Sequence, residues 1–213
     1  MSYRKSPLRL AVFVSGRGSN LRAILEAIER GALNARVEVV WSNHPKAPAL
    51  EIAKNFGIQT YAKLKPHKMS SAAYDKLILD LITPYEVDLI ALAGYFRILS
   101  PVLIRAFRWK IVNIHPSLLP SFPGLHAQKQ AIEYGVKISG CTLHFVTEAL
   151  DAGPVIAQRV VPVFDDDTEE TLAERILAQE HQLYPEVLEL FAEQRIILED
   201  GKKPQVRILS AKK

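Results

Sequence analysis

Five short apolar runs separated by helix-like stretches constrain this chain more than any other feature. They are Leu8–Val14, Val37–Ser42, Ile58–Tyr61, Asp88–Ala93 and Lys110–His115. Helical periodicity lies between them. Asn20–Arg30 places Leu21, Ile24, Leu25 and Ile28 on one face and stops at Gly31. Ala47–Phe56 stops at Gly57, and Ser71–Thr83 turns Tyr74, Leu77, Ile78 and Leu81 to one side. Pro101–Phe107 opens on a proline, which suits a first helical turn. Neighbouring parallel strands need a crossover between them, so this alternation predicts a doubly wound, mostly parallel α/β sheet.

The pattern then changes. His126–Tyr134 reads as a helix, and Ser139–Thr147 and Val155–Val163 as longer antiparallel strands joined by Glu148–Pro154. A long helix runs from Thr168 to Phe191, with Asp165–Asp167, Glu169 and Glu170 near its N-terminus, where the helix dipole favours them. Arg195–Leu198 and Val206–Leu209 read as a terminal hairpin. With no repeat or linker, residues 1–213 read as one domain: an α/β sheet with an antiparallel C-terminal extension and flexible tails near 1–7 and 202–213.

Charge argues against a nucleic-acid partner despite a pI near 9.1. Of the 27 Lys and Arg, three (Arg4, Lys5, Arg9) lie in residues 1–9 and five (Lys202, Lys203, Arg207, Lys212, Lys213) in residues 202–213. The 19 that remain stand against 23 Asp and Glu, with no basic stripe carrying interleaved aromatics. The apolar run after Lys5 is too short for a signal peptide, and Leu89–Phe96 is too short to span a bilayer. The single cysteine, Cys141, excludes an internal disulfide and sits in a strand-like run, as a buried structural thiol would. These features predict a cytoplasmic protein with no membrane partner; both a monomer and a homodimer are compatible with them.

The chemistry concentrates at three places. In Asn113-Ile114-His115-Pro116, residues two apart in a strand share a side, so Asn113 and His115 project together. Pro116 ends the ladder there, at the strand end where open α/β sheets bind ligands. An amide donor beside an imidazole suits acyl transfer, one meeting an oxyanion and the other moving a proton. Gly16-Arg17-Gly18-Ser19-Asn20 joins the first strand to the first helix, which exposes backbone N–H groups to an anion, with Ser19 or Asn20 able to cap the helix. The third glycine of a dinucleotide fingerprint is replaced by Leu21, and Asn43 stands where a ribose-binding acid would follow the second strand, so a phosphate monoester fits better than NAD. Asp151 lies in the turn Leu150–Pro154 and could reach His115 and hold its tautomer. The other histidines (His44, His67, His126, His144, His181) show no metal-binding spacing, so no metal is expected.

Together, Ser15–Leu21, Ala93–Ser100, Asn113–Pro120 with Phe122–His126, and Leu150–Ile156 resemble the phosphoribosylglycinamide formyltransferase family, the folate-dependent glycinamide ribonucleotide transformylases of purine synthesis. The resemblance runs from the first strand to Gln179-Glu180-His181. It implies a Rossmann-like formyltransferase fold and transfer of formyl from the co-substrate 10-formyltetrahydrofolate to the amine of glycinamide ribonucleotide. It implies Asn113, His115 and Asp151 as the catalytic trio, and Arg17, Gly18, Ser19, Asn20 and Glu180 as ribonucleotide-binding residues. Phe96, Arg97, Ile98 and Leu99 would line the folate pocket, with Asn113 and Asp151 touching the folate. Ser71, with Lys68 nearby, stands where some members carry a basic residue facing the folate's glutamate tail.

The rival readings are a formyltetrahydrofolate hydrolase, a methionyl-tRNA formyltransferase, a nicotinamide-dependent oxidoreductase and a non-catalytic phosphosugar-binding module. The hydrolase is expected to carry an additional N-terminal regulatory domain and the tRNA enzyme an additional C-terminal one. Leu21 and Asn43 weigh against the oxidoreductase.

Overall fold

The computed structural model describes residues 6–199, 201 and 204–210. Its seven-stranded sheet has the order β3-β2-β1-β4-β5-β6-β7. The strands are β1 (Leu8–Val14), β2 (Ala35–Ser42), β3 (Gln59–Ala62), β4 (Leu89–Leu92), β5 (Ile111–His115), β6 (Ile138–Phe145) and β7 (Val155–Pro162). β1 to β5 run parallel, and β6 and β7 are antiparallel to their neighbours, as the change in pattern predicts. The helices are α1 (Ser19–Glu29), α2 (Ala49–Asn55), α3 (Ser71–Ile82), α4 (Pro101–Ala106), α5 (Ala127–Tyr134) and α6 (Glu169–Ala192).

Alternate residues of the central strands feed two cores. Leu10, Val12, Val112 and Ile114 pack toward α1, α2, α5 and α6; Ala11, Phe13, Ile90 and Ile111 pack toward α3 and α4. Each fully buried Leu, Ile or Phe contributes roughly 1.5–3 kcal/mol relative to exposure. Cys141 is buried in the first core, and burial pushes its thiol up to about 12, which leaves it an inert packing residue. Among the described residues, no helix is long and apolar enough to cross a membrane.

One expectation about the ends needs correction, that of a flexible C-terminal tail. Arg9 lies in β1, as the run Leu8–Val14 predicts, where Asp88 and Glu86 hold its guanidinium. At the other end, β8 (Ile196–Glu199) pairs with β9 (Gln205–Ile208) as the expected hairpin, so part of the expected C-terminal tail is a strand. Ile196, Leu198 and Val206 pack against the first core, which is why this stretch is ordered. Residues 1–5, 202, 203 and 211–213 of the expected tails lie outside the described residues.

The strand order reverses direction between β1 and β4. At such a switch point the loops after the two strands diverge to opposite faces and leave a crevice between them. Phe13 sits beside Leu92, and the Ser15 N–H donates to the Gly94 carbonyl at 2.9 Å, so the loops leaving these strands start side by side. β5 pairs with β4 at Leu92 and Asn113, which brings its C-terminal end to the same crevice.

Candidate active site

A cleft of about 980 Å³ opens at the switch point. It gathers Gly16–Asn20, Phe96–Leu99, Asn113, His115, Asp151 and Glu180, every residue expected at the site from the sequence. The volume suits a small-molecule site that takes more than one reactant.

The glycine-rich loop leads into α1. Gly18 is the left-handed residue preceding α1, at φ 80°, and a Cβ there would lie 2.5 Å from the Ala49 Cβ. Gly18 is therefore needed for packing against α2. Gly16 faces open space. Neither Ser19 nor Asn20 caps α1, contrary to the sequence expectation: Gly18 takes the cap position and no side chain accepts from the helix. The first N–H groups of α1 thus remain free of side-chain caps where the helix dipole favours an anion. Arg17 is exposed beside them and forms no ion pair among the described residues.

Asn20 is turned away from this loop. It is buried, and its Nδ2 donates to the Glu180 Oε2 at 2.8 Å, while its Oδ1 is buried without a partner. Glu180 is buried too, and desolvation raises its pKa, partly offset by the Asn20 hydrogen bond. These two residues, both expected on the ribonucleotide, are therefore joined as a hydrogen-bonded pair at the wall of the cleft.

Asn113 and His115 project together from the end of β5, and Asp151 meets the histidine. The Asp151 Oδ2 lies 3.5 Å from His115 Nδ1 and accepts the Gly124 N–H at 2.8 Å. Asp151 reaches this place from a left-handed backbone at φ 48°, which an aspartate tolerates better than most residues. Gly153, two residues on, is pressed so tightly on β6 that a Cβ would lie 1.8 Å from the Phe145 carbonyl oxygen. The turn is thus pinned to the sheet, and the Asp-x-Gly spacing is what aims the carboxylate. His115 Nε2 donates to the Phe122 carbonyl at 2.8 Å, a contact the sequence did not reveal. That bond places a proton on Nε2 and turns Nδ1 toward Asp151.

His144 was not singled out by sequence. It lies directly across the β5–β6 ladder from Asn113, and its Nε2 is 3.3 Å from the Asn113 Nδ2. Its Nδ1 donates to the Phe145 carbonyl at 2.9 Å, so Nε2 is free to accept from the amide. Burial lowers the His144 pKa and keeps the ring neutral, although the Asp151 Oδ1 at 3.8 Å pulls the other way. The available signal was the antiparallel reading of β6, which pairs one of its residues with Asn113 once the register is known.

The loop after β4 brings Phe96 and Ile98 to the cleft, 73% and 69% exposed, while Leu99 is buried at its wall. Arg97 lines the cleft as well, but its guanidinium pairs with the buried Asp75 of α3, so its charge is spent within the fold.

Known proteins resemble this chain over most of its length. Residues 8–188 match the family model described as formyl transferase. The chain is 42% identical over 194 residues to the phosphoribosylglycinamide formyltransferase of Escherichia coli (strain K12), covering 91% of this chain and 92% of that one. It superposes on the crystal structure of glycinamide ribonucleotide transformylase 1 from Symbiobacterium toebii with a TM-score of 0.92 and 45% identity, over 99% of this chain and 98% of that one. A formyltetrahydrofolate deformylase from Pseudomonas syringae is more distant, at 29% identity and a TM-score of 0.88, and this chain covers 67% of it. The chain belongs to the formyl transferase family.

Proposed function

We propose that this chain transfers the formyl group of 10-formyltetrahydrofolate to the amine of glycinamide ribonucleotide, giving formylglycinamide ribonucleotide and tetrahydrofolate. One observation carries the reading: an uncapped helix N-terminus suited to a phosphate opens on the same cleft as an amide–imidazole–carboxylate trio. The phosphate would meet the N–H groups of Gly18, Ser19 and Asn20, with Arg17 alongside. The Asn20–Glu180 pair would face the sugar. Phe96, Ile98 and Leu99 would hold the flat ring of the folate.

In the reaction the amine attacks the formyl carbon, and charge develops on the formyl oxygen. Asn113 Nδ2 carries two protons; one is engaged by His144, and the other is available to that oxygen. His144 acts as a positioning residue, because a neutral acceptor fixes which end of the amide faces the cleft. His115 adds positive charge beside the oxyanion when Nδ1 is protonated, and Asp151 stabilises that form. When the tetrahedral intermediate collapses, the bond from carbon to the folate nitrogen breaks and its electron pair stays on that nitrogen. The amine loses one proton and the folate nitrogen gains one, so the step balances with no redox change, with His115 and ordered water as the carriers.

The expected setting is the cytoplasm, with small-molecule partners only. Turnover of purified enzyme before and after exhaustive chelation tests the chemistry. Full activity after chelation is the expected result, and strict dependence on zinc or NAD would contradict it.

A further inference from the structure

Phe96 and Ile98 are exposed apolar side chains on a segment with no regular secondary structure, yet they stand at the wall of the cleft. Something else must hold them there. Beneath the loop lies Asp75 of α3, fully buried. One of its oxygens takes the Arg97 guanidinium, and the other accepts the backbone N–H of Ser100. Arg97 in turn donates to the Ile98 carbonyl at 2.8 Å and to the Ser71 carbonyl at 3.4 Å, and its guanidinium carbon sits 4.7 Å from the centroid of the Tyr74 ring. At the other end of the loop, Ser15 Oγ accepts the Phe96 N–H at 2.8 Å and donates to Asn43 at 2.6 Å.

A buried ion pair is an expensive way to gain stability. Removing two charges from water costs several kcal/mol per ion, and apolar residues of similar volume often do as well. Here the cost is not fully offset, because Arg97 Nε is buried without a partner. What the pair supplies is geometry: a fixed fork that pulls residue 97 inward and so turns residues 96 and 98 outward.

We propose that Asp75 is a positioning residue for the formyl-donor subsite, clamping Arg97 and Ser100 so that Phe96 and Ile98 form a fixed wall for the donor's flat ring. The inference rests on the formyl-transfer reading. Asp75 touches no substrate; it acts through the loop.

The test compares wild type with Asp75→Asn, Arg97→Lys, Arg97→Met and the double change Asp75→Asn with Arg97→Met. For each, the KM of both substrates, the melting temperature and the amide hydrogen exchange of residues 96–100 in the free protein are measured. Loss of the charge-assisted contacts should raise the donor KM about tenfold or more in Asp75→Asn while the ribonucleotide KM stays within about twofold. Arg97→Lys keeps the charge but not the fork, and should show the same split even if Asp75→Asn folds poorly. The double change should recover melting temperature, because no lone buried charge remains, without recovering donor KM. If donor KM recovers together with stability, or if both KM values rise equally, Asp75 is only a structural residue. The exchange readout is independent of the chemistry. If wild type fails to use 10-formyltetrahydrofolate, the formyl-transfer reading falls; unchanged exchange at residues 96–100 in Asp75→Asn means the clamp itself does not exist.

Discussion

The amide of Asn113 and the ring of His144 face each other across the β5–β6 ladder, 3.3 Å apart, with the histidine as acceptor. The imidazole is buried and its other nitrogen is committed to a carbonyl, so it has one role left, which is to orient the amide. An amide with its Nδ2 fixed presents a donor to the cleft; an amide free to flip would present an acceptor half the time.

Asn113→Ala should lose ~10²–10³-fold in turnover, the usual cost of removing one oxyanion donor. His144→Phe leaves the amide in place but unguided, and should lose on the order of tenfold, the scale of one hydrogen bond. The two changes together should cost little more than Asn113→Ala alone. Turnover rates of the three variants check this; additive penalties would give His144 a role separate from Asn113.

His144 also predicts a pH dependence of stability. Its folded pKa lies below the ordinary value of 6.5 because burial disfavours the charged ring. The unfolded chain therefore binds the proton first as pH falls. The histidine's full contribution is present above about pH 6.5 and declines as pH drops from there toward the lowered folded value. Thermal melts at pH 7.5 and 5.5 should show a smaller drop for His144→Phe than for wild type. Equal drops would mean the ring does not titrate on unfolding in that window.

His115 and Asp151 should behave as one unit. His115→Ala should lose roughly ~10²–10⁴-fold, as expected for a general acid–base group. Asp151→Asn should lose less, and the pair should lose scarcely more than His115→Ala. Turnover measured for all four proteins, with binding of both substrates checked separately, decides whether the contact at 3.5 Å is functional.

The two glycines of the first loop should separate packing from binding. Gly18→Val meets Ala49 and a left-handed backbone, so it should cost about 1–3 kcal/mol and lower the melting temperature by roughly 2–12 °C. Gly16→Val enters open space and should leave the melting temperature almost unchanged while raising the ribonucleotide KM. Equal loss of affinity for both substrates in Gly16→Val would mean the loop does not serve the phosphate.

What the sequence disclosed, and what it hid, follows the range of the interactions. Alternation of strand and helix patterns is local, and it gave the sheet its order of elements. Asn113 and His115 are two residues apart on one strand, so their shared side could be read directly. The His144–Asn113 pair depends on the register of two antiparallel strands, which only packing fixes. Asn20 meets Glu180 across 160 positions, and Arg97 turns toward Asp75 because a buried carboxylate waits on α3. No periodicity encodes either contact. Gly18's packing against Ala49 is likewise a matter of how α2 docks.

The most direct test of formyl transfer is the fate of the formyl group. Purified enzyme would be incubated with 10-formyltetrahydrofolate labelled in the formyl carbon, with and without glycinamide ribonucleotide, and the label followed into products. Transfer predicts label in formylglycinamide ribonucleotide, one tetrahydrofolate released per label transferred, and almost no turnover when the ribonucleotide is withheld. Release of labelled formate at the same rate with or without the ribonucleotide would contradict it and mark the protein as a hydrolase.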